Sequence, residues 1–276
     1  MTAGERWTGA QLERLSGARF APAAWVRFLG DSFARSAETR RARPQLARQA
    51  RAWSIVGISG GLAARTWARR ARVPAPRLWS SGLWWLSVFA MLEWHIGMVE
   101  GPDGEQRERL TGADALTLLR LWSVPLLAAQ CDPAQASGPA FTALIASAAA
   151  SDALDGPLAR QVGVTRLGRD LDKVADSLVV GVAARAASRA GWLPTGAARL
   201  AVVRSSLPVA YVAGSYFRTG RRPQLDSLGP GRLLAPALLG GLATAPFSSR
   251  AGAVLTGTAS AASLALGLVG VPDRPR

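Results

Sequence analysis

From residue 113 onward the chain alternates long, mostly uncharged runs with short polar breaks. The runs fall at 114–131, 138–158, 172–193, 196–217, 230–247 and 251–271. Each is near the ~20 residues an α-helix needs to cross ~30 Å of hydrocarbon. They are rich in Ala, Gly, Ser, Leu and Val, a mixture that lets membrane helices pack closely. Helices of a soluble bundle show a polar face, and the run from Ala251 to Val271 has neither a charge nor such a face. The pattern predicts an all-α protein: a polytopic membrane helical bundle of six core transmembrane helices, with N-terminal amphipathic and extra hydrophobic helices before it.

Residues 1–112 follow a different pattern. From Trp7 to Arg51, apolar positions such as Leu12, Leu15, Phe20, Trp25, Phe28 and Leu29 recur among many arginines. That fits a basic amphipathic segment at an anionic membrane surface; it fits equally a helix packed on the rest of the protein. Glu5 and Glu13 stand where the apolar core of a signal peptide would have to begin. Two apolar stretches follow, 52–64 and 79–99, the first short and glycine-rich, the second interrupted by Glu93 and His95. If only the second crosses, the basic N-terminus lies outside; if both cross, Arg69, Arg70, Arg72 and Arg77 do. Neither suits the positive-inside tendency, and a re-entrant or in-plane pair remains open. The chain therefore divides into an N-terminal interfacial region, 1–112, and a six-helix membrane domain, 113–276.

Charge orients the bundle. The 159–173 break carries Arg160, Arg166, Arg169 and Lys173, and the 218–232 break carries Arg218, Arg221, Arg222 and Arg232, whereas 132–137 has no basic residue. The expected location is the cell membrane, multi-pass, with the 159–173 break in the cytoplasm. The formal net charge of +15 comes from 33 basic residues, of which Lys173 is the one lysine. So arginine- and alanine-heavy a composition matches GC-rich bacterial coding, and no nucleic-acid partner is inferred from it. A single cysteine, Cys131, excludes an intrachain disulfide, and a single histidine, His95, excludes any two-histidine site.

Acids are scarce and grouped. Between Pro133 and Gln224 the only ones are Asp152, Asp155, Asp170, Asp172 and Asp176. Asp152 and Asp155 are three apart and Asp172 and Asp176 four apart, so each pair shares a helix face. A hairpin between those helices can bring the faces together. Carboxylates that close repel unless cations lie between them. An oxygen-only donor set favours Mg²⁺ or Mn²⁺ over Zn²⁺, and four carboxylates suffice for two ions that clamp a phosphate.

The stretch from Asp152 to Asp176, DALDGPLARQVGVTRLGRDLDKVAD, resembles the signature of the CDP-alcohol phosphatidyltransferases. Asp152, Asp155, Gly156, Ala159, Arg160, Gly168, Asp172 and Asp176 occupy its fixed positions. In the first core span, Leu116, Thr117 and Arg120 look like the family's Asn-x-Leu-Thr-x-x-Arg opening, with Asp114 where asparagine is common. The resemblance implies attack by an alcohol hydroxyl on a CDP-linked donor, usually CDP-diacylglycerol, with release of CMP. By the same resemblance Asp152, Asp155 and Asp172 hold the metals, and Asp176 is the last ligand, the general base, or both. Gly156, Ala159, Arg160 and Gly168 would meet the nucleotide, the glycines by letting it approach the backbone. Thr117 and Arg120 are secondary substrate-site candidates. The acceptor, a small alcohol or another lipid, is not encoded in this motif, and the family's frequent dimerisation makes a homodimer an expectation. Pro157 is expected to kink or end its helix. A membrane carrier for a divalent cation and a catalytically silent scaffold are the competing readings; a site at a helix end beside a basic loop speaks against the carrier.

Overall fold

The computed structural model describes residues 2–219 and 234–269, with the backbone alone at 155–162, 219 and 267–269. Among the described residues the regular secondary structure is all helical, save one isolated bridge between Glu100 and Gln106. The helices are α1 (Ala3–Gly17), α2 (Pro22–Ala42), α3 (Pro44–Arg70), α4 (Leu78–His95), α5 (Gly112–Ala129), α6 (Gly138–Val162), α7 (Arg166–Arg189), α8 (Thr195–Thr219), α9 (Ala235–Thr244) and α10 (Ser249–Val269). Local chemistry sets their starts. Pro22 and Pro44 occupy first-turn positions that need no amide donor. Thr111 and Asp114 form a reciprocal capping box on α5. Thr165 caps α7 by accepting from the Gly168 amide at 2.8 Å.

Helix α7 lies at the centre, packed against α5 and α8, while α6, α9 and α10 complete the bundle. Phe141, Ile145, Val179, Val180, Leu238 and Leu242 are buried between them. A second core of Leu46, Trp85, Leu92, Leu118, Leu121 and Trp122 fastens α3 and α4 to α5. Here the glycines of the 52–64 stretch find their use. An added Cβ at Gly57 would fall 2.1 Å from the Trp122 ring, and one at Gly61 2.4 Å from Trp85. Backbone and indole are therefore in direct contact, and the stretch is the middle of a 27-residue helix rather than a short element.

The N-terminal region packs on the bundle. Thr2 Oγ1 donates to Glu100 Oε1 at 2.8 Å, and Arg166 reaches the same carboxylate at 3.2 Å and Thr8 Oγ1 at 3.1 Å. Arg166 and Glu100 are almost fully buried. Glu5 pairs with Arg169 at 3.5 Å. Burial opposes the charge on Glu5, but the Thr2 amide and the Arg166 and Arg169 guanidiniums prevail and hold its pKa below the usual carboxylate value. Residues 2–8 and 100 thus clasp the first turns of α7.

Helices stand at all six predicted core positions, with shifted bounds. Among the described residues α5 is the one helix long and apolar enough, by length and composition, to cross a membrane. The largest shift concerns the predicted 159–173 break. Helix α6 continues to Val162 and α7 begins at Arg166, leaving a turn of three residues with Gly163 at φ +79°. Pro157 therefore does not end α6. The break was read from its charges, but arginine and lysine are good helix formers, and the cap at Thr165 starts α7 well before its apolar run. Helix α9 covers the later part of the 230–247 run, whose first residues, like Arg221, Arg222 and Arg232, lie outside the described ones.

Candidate active site

Three of the four predicted metal ligands are described, and they converge. One oxygen each from Asp152 on α6 and from Asp172 and Asp176 on α7 lie within 4.8 Å of one another. Helices α6 and α7 both pack on α5 and are joined by the tight Gly163–Thr165 turn, and in that arrangement the carboxylate of Asp152 meets those of Asp172 and Asp176. Asp155, Gly156, Ala159 and Arg160 lie on the part of α6 whose side chains fall outside the described residues.

The site lies deeper than a helix end. Asp152 is ten residues before Val162, about 15 Å along α6, and Asp172 and Asp176 are six and ten residues into α7. The expected placement at the helix tips is thereby corrected, for the same reason as the helix bounds. The location argument against a carrier loses its force with it.

Arg120 is the cation at the centre. Its side chain is 2% exposed; it donates to Asp172 and Asp176 and lies 3.8 Å from Asp152. One planar fork engages both α7 carboxylates at once, which a lysine could not reproduce. Thr117, one turn earlier on α5, accepts from Arg120 at 3.4 Å and donates to the Ala113 carbonyl at 3.2 Å. Thr117 and Arg120, expected near substrate, thus build the floor on which the carboxylates rest.

Gly168 is buried against Asp114, where an added Cβ would fall 2.4 Å from Oδ1. The close approach it permits here is that of a side chain. Asp114 is the residue whose task the sequence did not disclose. It accepts from the Thr111 amide at 2.7 Å and hydroxyl at 2.9 Å, and from Thr165 Oγ1 at 2.5 Å. It therefore caps α5 and ties that cap to the cap of α7. The Thr-x-x-Asp spacing at 111–114 was the available signal. Nothing local marked Thr165 as its partner across the fold. Arg204 of α8 donates through Nε to Ser263 of α10 at 3.1 Å and feels the charge of Asp176.

The donor set suits a hard dication. Three oxygens no more than 4.8 Å apart sit within about 2.8 Å of a common centre, so Mg–O bonds of about 2.1 Å need an inward shift of at most about 0.7 Å each. Carboxylate rotation supplies that much. No nitrogen or sulfur ligand stands among the three, which agrees with Mg²⁺ or Mn²⁺ chemistry.

The family model for CDP-alcohol phosphatidyltransferases matches residues 110–269. No curated protein and no solved structure matches the chain. The matched segment runs from just before α5 to the end of α10, taking in every helix that carries a site carboxylate and leaving out α1–α4. Members are membrane-associated, divalent-metal-dependent phosphotransferases that use CDP-alcohol donors and alcohol acceptors. On the strength of that match the chain belongs to the CDP-alcohol phosphatidyltransferase family.

Proposed function

We propose that the protein transfers a phosphatidyl group from CDP-diacylglycerol to an alcohol hydroxyl in phospholipid synthesis, with Mg²⁺ or Mn²⁺ as cofactor. The observation that carries the reading is the convergence of Asp152, Asp172 and Asp176 across the α6–α7 hairpin, inside the family-matched segment. These three, with Asp155, would hold two ions, which supply Lewis-acid neutralisation of the donor diphosphate. Asp176 takes the proton of the acceptor hydroxyl. The acceptor oxygen bonds to the phosphorus that carries the diacylglycerol, the bond from that phosphorus to the bridging oxygen breaks, and CMP departs. Arg120 fixes the rotamers of Asp172 and Asp176, so the carboxylates are oriented before substrate arrives. Arg160 pairs with a donor phosphate.

A multi-pass arrangement with the α6–α7 turn in the cytoplasm completes the reading. The first two turns of α7 carry Arg166, Arg169, Asp170, Asp172 and Lys173, and from Val174 to Ala184 the only charge is Asp176. The hydrocarbon boundary then falls near Asp172, with the clasp of residues 2–8 on the aqueous side. Exposed Ile55, Val56, Leu83, Leu86, Val203 and Leu207 give α3, α4 and α8 apolar outer surfaces suited to lipid.

The test is CMP release by the purified full chain supplied with CDP-diacylglycerol, Mg²⁺ or Mn²⁺ and a panel of alcohols, with product masses read in parallel. Metal-dependent release is expected with at least one acceptor. Asp176→Asn should lower it by about 10²-fold or more, the usual contribution of a general base. Undiminished turnover in that variant would remove the base assignment. Absence of CMP with every acceptor and metal would overturn the donor.

A further inference from the structure

Four arginines gather at the end of the molecule away from the carboxylates. Arg65, Arg69, Arg72 and Arg77, on and after the end of α3, line an open cleft of about 570 Å³ together with Ala134 and Gln135 of the α5–α6 turn. From that turn α6 runs fourteen residues, about 21 Å, before it reaches Asp152.

Among the described residues nothing acidic lines the cleft. No Asp or Glu occurs between Glu38 and Glu93. The nearby Asp132 is engaged by its own turn, accepting from the Ala134 amide at 3.2 Å and Gln135 Nε2 at 3.0 Å. Arg65 Nε donates to the Pro76 carbonyl at 2.9 Å, which ties the two sides of the turn together. Among the described residues no carboxylate pairs with Arg69, Arg72 or Arg77.

Arginine at a helix C-terminus is ordinarily explained by the helix dipole. That account covers Arg69 in the last turn of α3, but not Arg72 or Arg77, which lie beyond it. Arg72 also stands where glycine belongs. The Val73 amide donates to the Ala68 carbonyl at 3.0 Å and the Arg72 amide to the Arg69 carbonyl at 3.3 Å, closing a Schellman turn with Arg72 at φ +56°. A side chain held in that left-handed position calls for a task of its own. In the multi-pass arrangement these arginines also face the non-cytoplasmic side, against the positive-inside tendency. Trp67 and Trp79, each two residues from a lining arginine in sequence, are 64% and 85% exposed, as interfacial anchors are.

We propose that this cleft binds the phosphate headgroup of an anionic phospholipid in the leaflet opposite the carboxylate site. The leaflet, though not the anion chemistry, rests on the multi-pass reading above. Guanidiniums supply the phosphate contacts, and the two indoles place the cleft at headgroup depth.

Native mass spectrometry of the full chain, delipidated in mild detergent and titrated with phosphatidylglycerol or phosphatidylcholine of equal chain length, tests it. One phosphatidylglycerol per chain should bind about tenfold to a hundredfold tighter than phosphatidylcholine. The Arg69→Gln/Arg72→Gln/Arg77→Gln variant should lose that preference. Arg72→Gly should weaken it while unfolding at the same or a higher temperature, because glycine relieves the turn; a merely structural arginine would not separate the two readouts. Equal affinity for both lipids, or an unchanged triple variant, would overturn the site. Inorganic phosphate that binds as tightly and displaces the lipid would overturn the lipid assignment. Release of the chain from membranes by alkaline carbonate would refute the multi-pass reading, whereas a chain that stays embedded yet shows no anionic preference refutes only the cleft.

Discussion

A guanidinium with 2% of its side chain exposed, facing three carboxylates, is stable only while both charges stay matched. Arg120 and a bound dication act on the same oxygens, so each can partly substitute for the other. Arg120→Ala should therefore destabilise the metal-free protein by about 2–4 kcal/mol; the cost of breaking a fully buried pair is discounted here because the carboxylates are partly exposed. Saturating Mg²⁺ should recover more of the melting temperature in the variant than it adds to the native chain. Differential scanning fluorimetry in chelator and in Mg²⁺ reads this directly. Equal metal shifts in the two proteins would show that Arg120 does not share the carboxylates' charge with the ion. At this scale the aspartates were legible because their spacing fixes which residues share a helix face. The service that Thr117 and Gly168 render to Arg120 and Asp114 was hidden, because a hydroxyl or a missing Cβ has no signature until its neighbour is known.

Helix α7 is held at its start by residues distant in sequence. Glu100 carries the load: its side chain meets Arg166 and Thr2, and its backbone carbonyl accepts from the Arg166 amide at 2.8 Å. Glu100→Ala should cost about 3–5 kcal/mol, since it removes the carboxylate paired with the buried Arg166 and leaves only the less direct charge of Glu5. Hydrogen exchange should locate the loosening in α1 and the first turns of α7. A variant with unchanged exchange in α7 would show that the N-terminal region rides on the bundle without bracing it. Element existence was readable from hydropathy, but element ends were not. The charged first turns of α7 resemble a loop to any hydrophobicity pattern, and only the Thr165 cap marks the true start. Likewise Gly57 and Gly61 look like a helix-weakening stretch until Trp122 and Trp85 are seen against them.

At the scale of the whole molecule, topology decides which face performs chemistry, and the single cysteine can report it. Cys131 follows α5, in the turn at the arginine-cleft end, while Val164, 39% exposed, lies in the α6–α7 turn at the other end of α6. If α6 crosses the membrane with its C-terminal end in the cytoplasm, the two positions lie on opposite sides. In intact cells a membrane-impermeant maleimide should label Cys131 but not the Cys131→Ala/Val164→Cys variant, which should react only after permeabilisation. Labelling of Cys131 should be slow near neutral pH and faster as pH rises. Burial pushes its thiol pKa up, outweighing the Arg185 and Arg189 charges, so less of the reactive thiolate is present until the pH climbs. Denatured protein, where that burial is gone, supplies the reference rate. Reversed labelling would turn the active site outward, away from a cytoplasmic CDP-lipid supply. Labelling of both positions from one side would mean that α6 does not cross, and the six-span bundle would fall with it.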